Sequence, residues 1–142
     1  MISYRTGNIL DLDEVIDLYR ASTLGQRRPI DDRTRMERML GNANLVITAW
    51  DQHLLVGISR SLSDFSYVTY LSDLAVRESH QRQGIGKELI RLTQEASAPA
   101  NIILLAAPAA EQYYPHIGFM HHPQAWKLPA DAKLREAQDR PA

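Results

Sequence analysis

Between a β-rich run that ends at Val76 and an amphipathic stretch that opens at Ile85 stands the segment Gln81-Arg82-Gln83-Gly84-Ile85-Gly86-Lys87. A strand that feeds a helix through a glycine-bearing turn constrains both the fold and the chemistry. The start of a helix leaves backbone N–H groups without partners and carries partial positive charge. Glycines there permit positive φ and let a ligand approach the main chain closely. Arg82 and Lys87 add full charges, so the segment reads as a cradle for a diphosphate. It is not a Walker loop, because Gln81 and Glu88 stand where that loop needs its first Gly and its Ser/Thr. It is not a dinucleotide fingerprint either, because Leu89 stands where the third glycine belongs. The plain alternative is a glycine-softened loop into an ordinary helix.

The rest of the chain supplies alternating elements. Ile2 to Arg5 reads as a strand, and Asp11 with Glu14 has the spacing of a capping box for a helix running to about Ala21. A loop from Leu24 to Pro29 carries Arg27 and Arg28, and a second helix opens at Asp31 or Asp32 and ends at Gly41-Asn42. Leu45–Trp50 and Leu54–Arg60 flank a hairpin turn, Leu62 to Ser66 reads as loop, and Tyr67 to Val76 is a longer strand. The helix from Ile85 is stopped by Pro99. Ile102 to Ala107 reads as a strand buried on both faces. Ala109 to Ile117 holds a short helix at best, and Gly118 to His121 a last strand. This order predicts an α/β (α+β) fold, a mixed sheet with helices on both faces.

Composition limits what such a fold can do. The 142 residues are 44% hydrophobic and 23% charged with a net charge of −1. That is one domain, expected over residues 1–128, followed by an Ala- and charge-rich tail over 129–142 that is expected to fray. The balanced charge leaves no footprint for nucleic acid or an anionic membrane. The chain has no cysteine, which excludes disulfides, thiolate nucleophiles and Cys-ligated metals. His116, His121 and His122 match no standard metal-ligand spacing, so no metal is expected. With no membrane-length apolar run and no signal-peptide pattern at the start, the expectation is a soluble cytoplasmic protein.

Three motifs in order give the function. Gln81, Gly84 and Gly86 fit Gln/Arg-x-x-Gly-x-Gly/Ala. Leu74-Ala75-Val76 precedes them as the end of a strand, and Tyr113-Tyr114-Pro115-His116-Ile117-Gly118-Phe119 follows. Together they resemble the GCN5-related N-acetyltransferase family over roughly residues 2 to 121. The resemblance implies a mostly antiparallel central sheet splayed between its fourth and fifth strands, with acetyl-CoA as acetyl donor in the opening. It implies that the pantetheine arm pairs with the edge at Leu74, Ala75 and Val76. The diphosphate would sit on the segment Gln81, Arg82, Gln83, Gly84, Ile85, Gly86 and Lys87. Transfer would be direct, from thioester to amine, with a backbone N–H near Leu74 or Val76 facing the developing oxyanion. Tyr114 would give the departing thiolate its proton.

The acceptor side is less constrained. Asp73 is an acid inside an otherwise apolar strand. It could deprotonate the amine, directly or through water, or hold the ammonium, or act as a structural carboxylate for a nearby loop or Arg. Some relatives carry a Glu where this chain has Tyr70, which cannot serve as a base at neutral pH. In a regular strand Ser72 would face away from Asp73. Arg27, Arg28, Asp64 and Tyr70 are the candidate substrate-binding residues. A small-molecule amine is the favoured acceptor, with a peptide or protein amine as the variant and a non-catalytic acyl-CoA sensor as the rival class. Exposed apolar residues near Trp126 or the last strand leave a homodimer open.

Overall fold

The computed structural model describes residues 1–136, so residues 137–142 of the expected tail lie outside the described residues. It divides into two compact units, Met1–Ala106 and a second beginning at Ala107. The first unit runs β1 (Ile2–Thr6), α1 (Leu12–Arg20), α2 (Arg33–Gly41), β2 (Leu45–Asp51), β3 (Leu54–Ser63), β4 (Val68–Val76), α3 (Ile85–Ser97) and β5 (Asn101–Ile103). The strands lie in the order β1-β2-β3-β4-β5. All neighbours are antiparallel except β4 and β5, which are parallel.

Local chemistry explains the helices. The Asp11 carboxylate accepts from the Asp13 amide and caps α1, with Asp13 and Glu14 in its positive first turn and Arg20 in its last. The reciprocal bond of a capping box, from the Asp11 amide to the Glu14 carboxylate, does not form. Asp32 caps α2 by accepting from the Arg35 amide at 3.1 Å. Each helix presents one apolar stripe to the sheet. Val15, Leu18 and Tyr19 of α1 and Met36 and Leu40 of α2 pack with Val46, Trp50, Leu55, Ile58 and Ala75 on one face. Ile85 and Leu89 of α3 pack with Leu45, Ile47, Ala49 and Val56 on the other. Because β2 is covered on both sides, its apolar residues run almost without a break.

Two features of β4 place the site. Arg60 pairs with Asp73 and Ser61 with Leu71, so Ser72 is an extra residue, a β-bulge. Then β5 pairs only with Val68, Thr69 and Tyr70, which leaves Leu71 to Val76 without a partner on that side. The sheet opens there. This corrects the expectation for Ile102 to Ala107: the strand ends at Ile103, and Ile103 and Leu105 are 44% and 55% exposed. Ile103 still pairs with Tyr70 but lies on an uncovered sheet face, and beyond it the chain leaves β4, so Leu105 has no strand neighbour there. The hairpin strand β3 also runs on to Ser63, through part of the expected loop.

The second unit has a 3₁₀ turn over Pro108–Ala110 and a single helical turn, α4 (Tyr113–His116). No strand forms over Gly118 to His121. Gly118 takes φ +108°, and the Phe119 amide returns to the Tyr114 carbonyl at 3.0 Å, so the segment closes the helical turn rather than extending.

The connection between α1 and α2 folds back on α1. It starts as a 3₁₀ turn over Thr23–Arg27, and a Cβ on Gly25 would lie 2.5 Å from the Tyr19 carbonyl oxygen. Only glycine allows this approach, which delivers Arg28 to β4. Gly25→Ala is expected to displace the turn and lower stability by about 1–3 kcal/mol, as overpacked sites do. Urea unfolding of the variant against wild type measures it.

Candidate active site

The turn before α3 is built to leave its amides free. Arg82 and Gly84 take left-handed φ values of +63° and +82°. Gly84 stands at the N-cap of α3 with no side-chain cap. Among the described residues no acceptor takes the amides of Arg82 to Lys87; the first bond of the helix is from the Glu88 amide to the Gly84 carbonyl. Gln81, Arg82, Gln83, Gly84 and Lys87 are exposed, whereas Ile85 is buried against the sheet and fixes the helix. The approach to the turn is tethered. Arg77 donates to the Leu55 carbonyl at 2.7 Å and to Asp17 at 2.8 Å. The His80 ring lies 2.9 Å from Asp51, and the Gln81 amide donates to the Val76 carbonyl at 2.9 Å. The free amides and the open edge of β4 therefore belong to one rigid frame.

Asp73 sits under that edge and is fully buried. Its Oδ2 accepts from the Tyr19 hydroxyl and from Arg60 Nε, both at 2.6 Å. Its Oδ1 accepts from Arg28 Nε at 2.6 Å and from the Ser72 hydroxyl at 3.2 Å. Burial alone would raise the Asp73 pKa, but the Arg60 hydrogen bond and charge, the Tyr19 hydroxyl and the Arg28 charge overcome it and hold it below the usual carboxylate range. Burial, then the Asp73 charge, pushes the Tyr19 phenol well up, so it remains a donor. The expectation that Asp73 takes a proton from the amine finds no support in this geometry. Both oxygens are occupied and the conjugate acid is disfavoured, which is the structural alternative. The bulge also brings Ser72 to the same side as Asp73, against the expectation for a regular strand.

The candidate substrate residues divide. Arg28 is turned inward: besides Asp73 it donates to the Ser72 and Arg27 carbonyls, both at 2.8 Å. Arg27 is exposed. Asp64 is exposed; its Oδ1 accepts from the amides of Ser66, Tyr67 and Val68 and fixes the β3–β4 turn, while Oδ2 takes no donor among the described residues. Those bonds hold its pKa below the ordinary value. Tyr70 is 37% exposed, on the segment of β4 that pairs with β5. Leu74 and Val76 are half-buried and Ala75 buried along the open edge. In the second unit Tyr114 packs edge-to-face on Tyr113 and Phe119, at 5.4 and 5.3 Å between ring centres. Burial, then Tyr113, raises its pKa, so the phenol is protonated at neutral pH.

A family model for the acetyltransferase (GNAT) domain matches residues 26–126, well over half of the chain. The chain belongs to the GNAT family. Acetyl-CoA is the cosubstrate of GNAT proteins, and the free amides and open strand edge suit it. The chain is 28% identical over 124 residues to the uncharacterized N-acetyltransferase ycf52 of Gracilaria tenuistipitata var. liui. That match covers 84% of this chain and 66% of the relative, just under two thirds of its length. Among solved structures, a GNAT-family acetyltransferase of Streptococcus pneumoniae superimposes with a TM-score of 0.73 at 25% identity, covering 90% of this chain and 98% of that one. An aminoglycoside N-acetyltransferase, AAC(6')-Iy in complex with CoA, shares the fold with a TM-score of 0.71 at 16% identity, covering 93% and 96%.

Three residues of this GNAT site escaped the sequence reading: Tyr19, Arg60 and Arg77. Arg60 carried a usable signal, because it follows Ile58 at the two-residue period of a buried strand face, and a buried guanidinium requires a carboxylate. Asp73 is the acid of the neighbouring strand. Asp73→Asn leaves two guanidiniums facing a neutral group and is expected to cost about 3–5 kcal/mol near neutral pH. With its folded pKa depressed, Asp73 contributes its full stability above the unfolded value of about 3.9 and loses it as pH falls through the folded pKa. The gap between wild type and Asp73→Asn therefore narrows below about pH 4, which urea titrations across the acid range measure.

Proposed function

We propose that this protein transfers acetyl from acetyl-CoA directly to a primary amine of a small molecule. The observation that carries the reading is the pairing of an unpartnered strand edge, Leu71 to Val76, with the free amides of Arg82 to Lys87 at the start of α3. The first suits the extended pantetheine arm and the second the diphosphate, with Arg82 and Lys87 adding charge. The CoA-bound aminoglycoside acetyltransferase of the same fold supports a CoA donor and a small acceptor at the level of the fold.

The donor supplies an activated acetyl thioester. What the chain supplies is position and electrostatics. A main-chain N–H at Leu74 or Val76 stabilises charge on the thioester oxygen. No cysteine is present to carry an acetyl group, so the amine nitrogen forms its bond to the carbonyl carbon as the carbon–sulfur bond breaks. Tyr114, protonated at neutral pH, is the proposed proton donor to the departing thiolate. With Asp73 locked as an anion among its donors, the amine proton leaves through water. The surplus positive charge of Arg28 and Arg60 over Asp73 eases that loss, since a nearby like charge disfavours the ammonium form.

The binding-only rival draws on the same locked Asp73, because no other carboxylate replaces it as a base in the motif positions. Calorimetry with acetyl-CoA and thiol-release assays with an amine panel separate the two. Tyr114→Phe is expected to lower kcat by about 10²-fold or more with CoA affinity unchanged. Gly84→Val places a branched residue at φ +82°, strain of roughly 1–2 kcal/mol, and is expected to weaken CoA binding about tenfold. Absence of any CoA binding by wild type overturns the proposal, and binding without turnover on any amine leaves the sensor.

A further inference from the structure

We infer that the acceptor amine belongs to an amino acid-like molecule: one that carries a carboxylate and a large apolar side chain. This rests on the acetyltransferase reading and names its substrate class.

Arg28 and Arg60 both bond to Asp73, and the Tyr19 phenol is held protonated. The cluster thus has two positive charges against one negative. The remaining partners of the guanidiniums are neutral: the carbonyls of Arg27, Met39 and Ser72 and the hydroxyl of Ser72. The Arg60 side chain is 8% exposed and that of Arg28 is 22% exposed, so the surplus is poorly shielded by water and accessible mainly through Arg28. A partly buried positive charge attracts an anion and repels a second cation. Of the two acids that sequence places on the acceptor side, Asp73 has both carboxylate oxygens occupied by donors, and Asp64 commits Oδ1 to three turn amides, leaving Oδ2 to solvent.

Leu62 pairs with Tyr70, and Tyr70 with Ile103, so these residues form one row across β3, β4 and β5. They are 43%, 37% and 44% exposed, large apolar side chains on a sheet face left uncovered. Arg60 is two residues from Leu62 on β3 and so shares its face, with the two Cα atoms roughly 7 Å apart. The row and the positive cluster are therefore contiguous. The adjoining turn is rigid, held by Asp64 and by the paired contacts of Asn44 with the Ser63 backbone, both at 2.8 Å. A ligand with an apolar group over the row and a carboxylate toward Arg28 satisfies both; a polyamine satisfies neither.

The probes are L-phenylalanine, phenethylamine (the same molecule without its carboxylate), glycine and spermidine. Thiol release gives kcat/KM for each, and calorimetry on the CoA-saturated protein gives binding of phenylalanine and phenethylamine without requiring turnover. Phenylalanine is expected to exceed each of the other three by tenfold or more in kcat/KM, and to bind at least tenfold more tightly than phenethylamine. The double variant Leu62→Ser, Ile103→Ser is expected to shrink the phenylalanine-to-glycine ratio at least fivefold. Equal use of phenethylamine or spermidine, or an unchanged ratio in the variant, overturns the inference while the transferase reading stands. If CoA binds and no amine is acetylated, the transferase reading fails and calorimetry alone decides the recognition: equal or absent binding of the two probes overturns it.

Discussion

The buried carboxylate of Asp73 is the interaction on which this end of the sheet depends. It ties α1 through Tyr19, the α1–α2 connection through Arg28, β3 through Arg60 and its own bulge through Ser72. Without a carboxylate there, no counter-charge offsets the desolvation of the two guanidiniums, and the connection loses its charged anchor on the sheet. The bulge is part of the same device. An extra residue in β4 places Ser72 and Asp73 together against Arg60 and bends the strand where its outer edge becomes free.

The donor side is held by different means. Its unpaired groups are main-chain amides, so in the proposed cradle side-chain chemistry matters chiefly at Gly84, where φ is positive. Frame contacts are made from behind, by Arg77 to Leu55 and Asp17, by His80 to Asp51 and by Gln81 to Val76. The two sides meet at β4, whose inner edge carries Asp73 to Arg60 and whose outer edge is open. Acceptor chemistry can thus change by substitution on the Arg28–Tyr70 side while the donor cradle stays as it is.

Much of this was legible in the chain. The apolar runs of β2 and β3 on either side of a turn, the caps at Asp11 and Asp32, the stripe of α3 and the glycine turn are local signals, and each of these elements formed within a few residues of expectation. What was not legible depended on partners distant in sequence. Ile102 to Ala107 reads as a buried strand from hydropathy alone, yet burial needed a neighbour that β4 ceases to provide after Tyr70. Gly118 to His121 reads as a strand until Gly118 takes a positive φ. The bulge at Ser72 left no mark in a pattern that still alternates between buried and half-buried. Asp73 was visible as an anomaly, but whether it was base or anchor turned on Arg60 and Tyr19, which are 13 and 54 residues away.

In the proposed transfer, a locked Asp73 changes how the reaction is organised. A base works by accepting a proton, and this carboxylate gains its stability from never doing so. What the cluster can offer an incoming amine is field rather than proton affinity. Its surplus positive charge lowers the pKa of a nearby ammonium, so the neutral nucleophile becomes more populated without a dedicated acceptor. The same field penalises binding of the protonated amine, and an acceptor needs a compensating anion to remain in place. Recognition of a carboxylate and activation of a nitrogen are then two consequences of one arrangement, two arginines sharing a single buried aspartate.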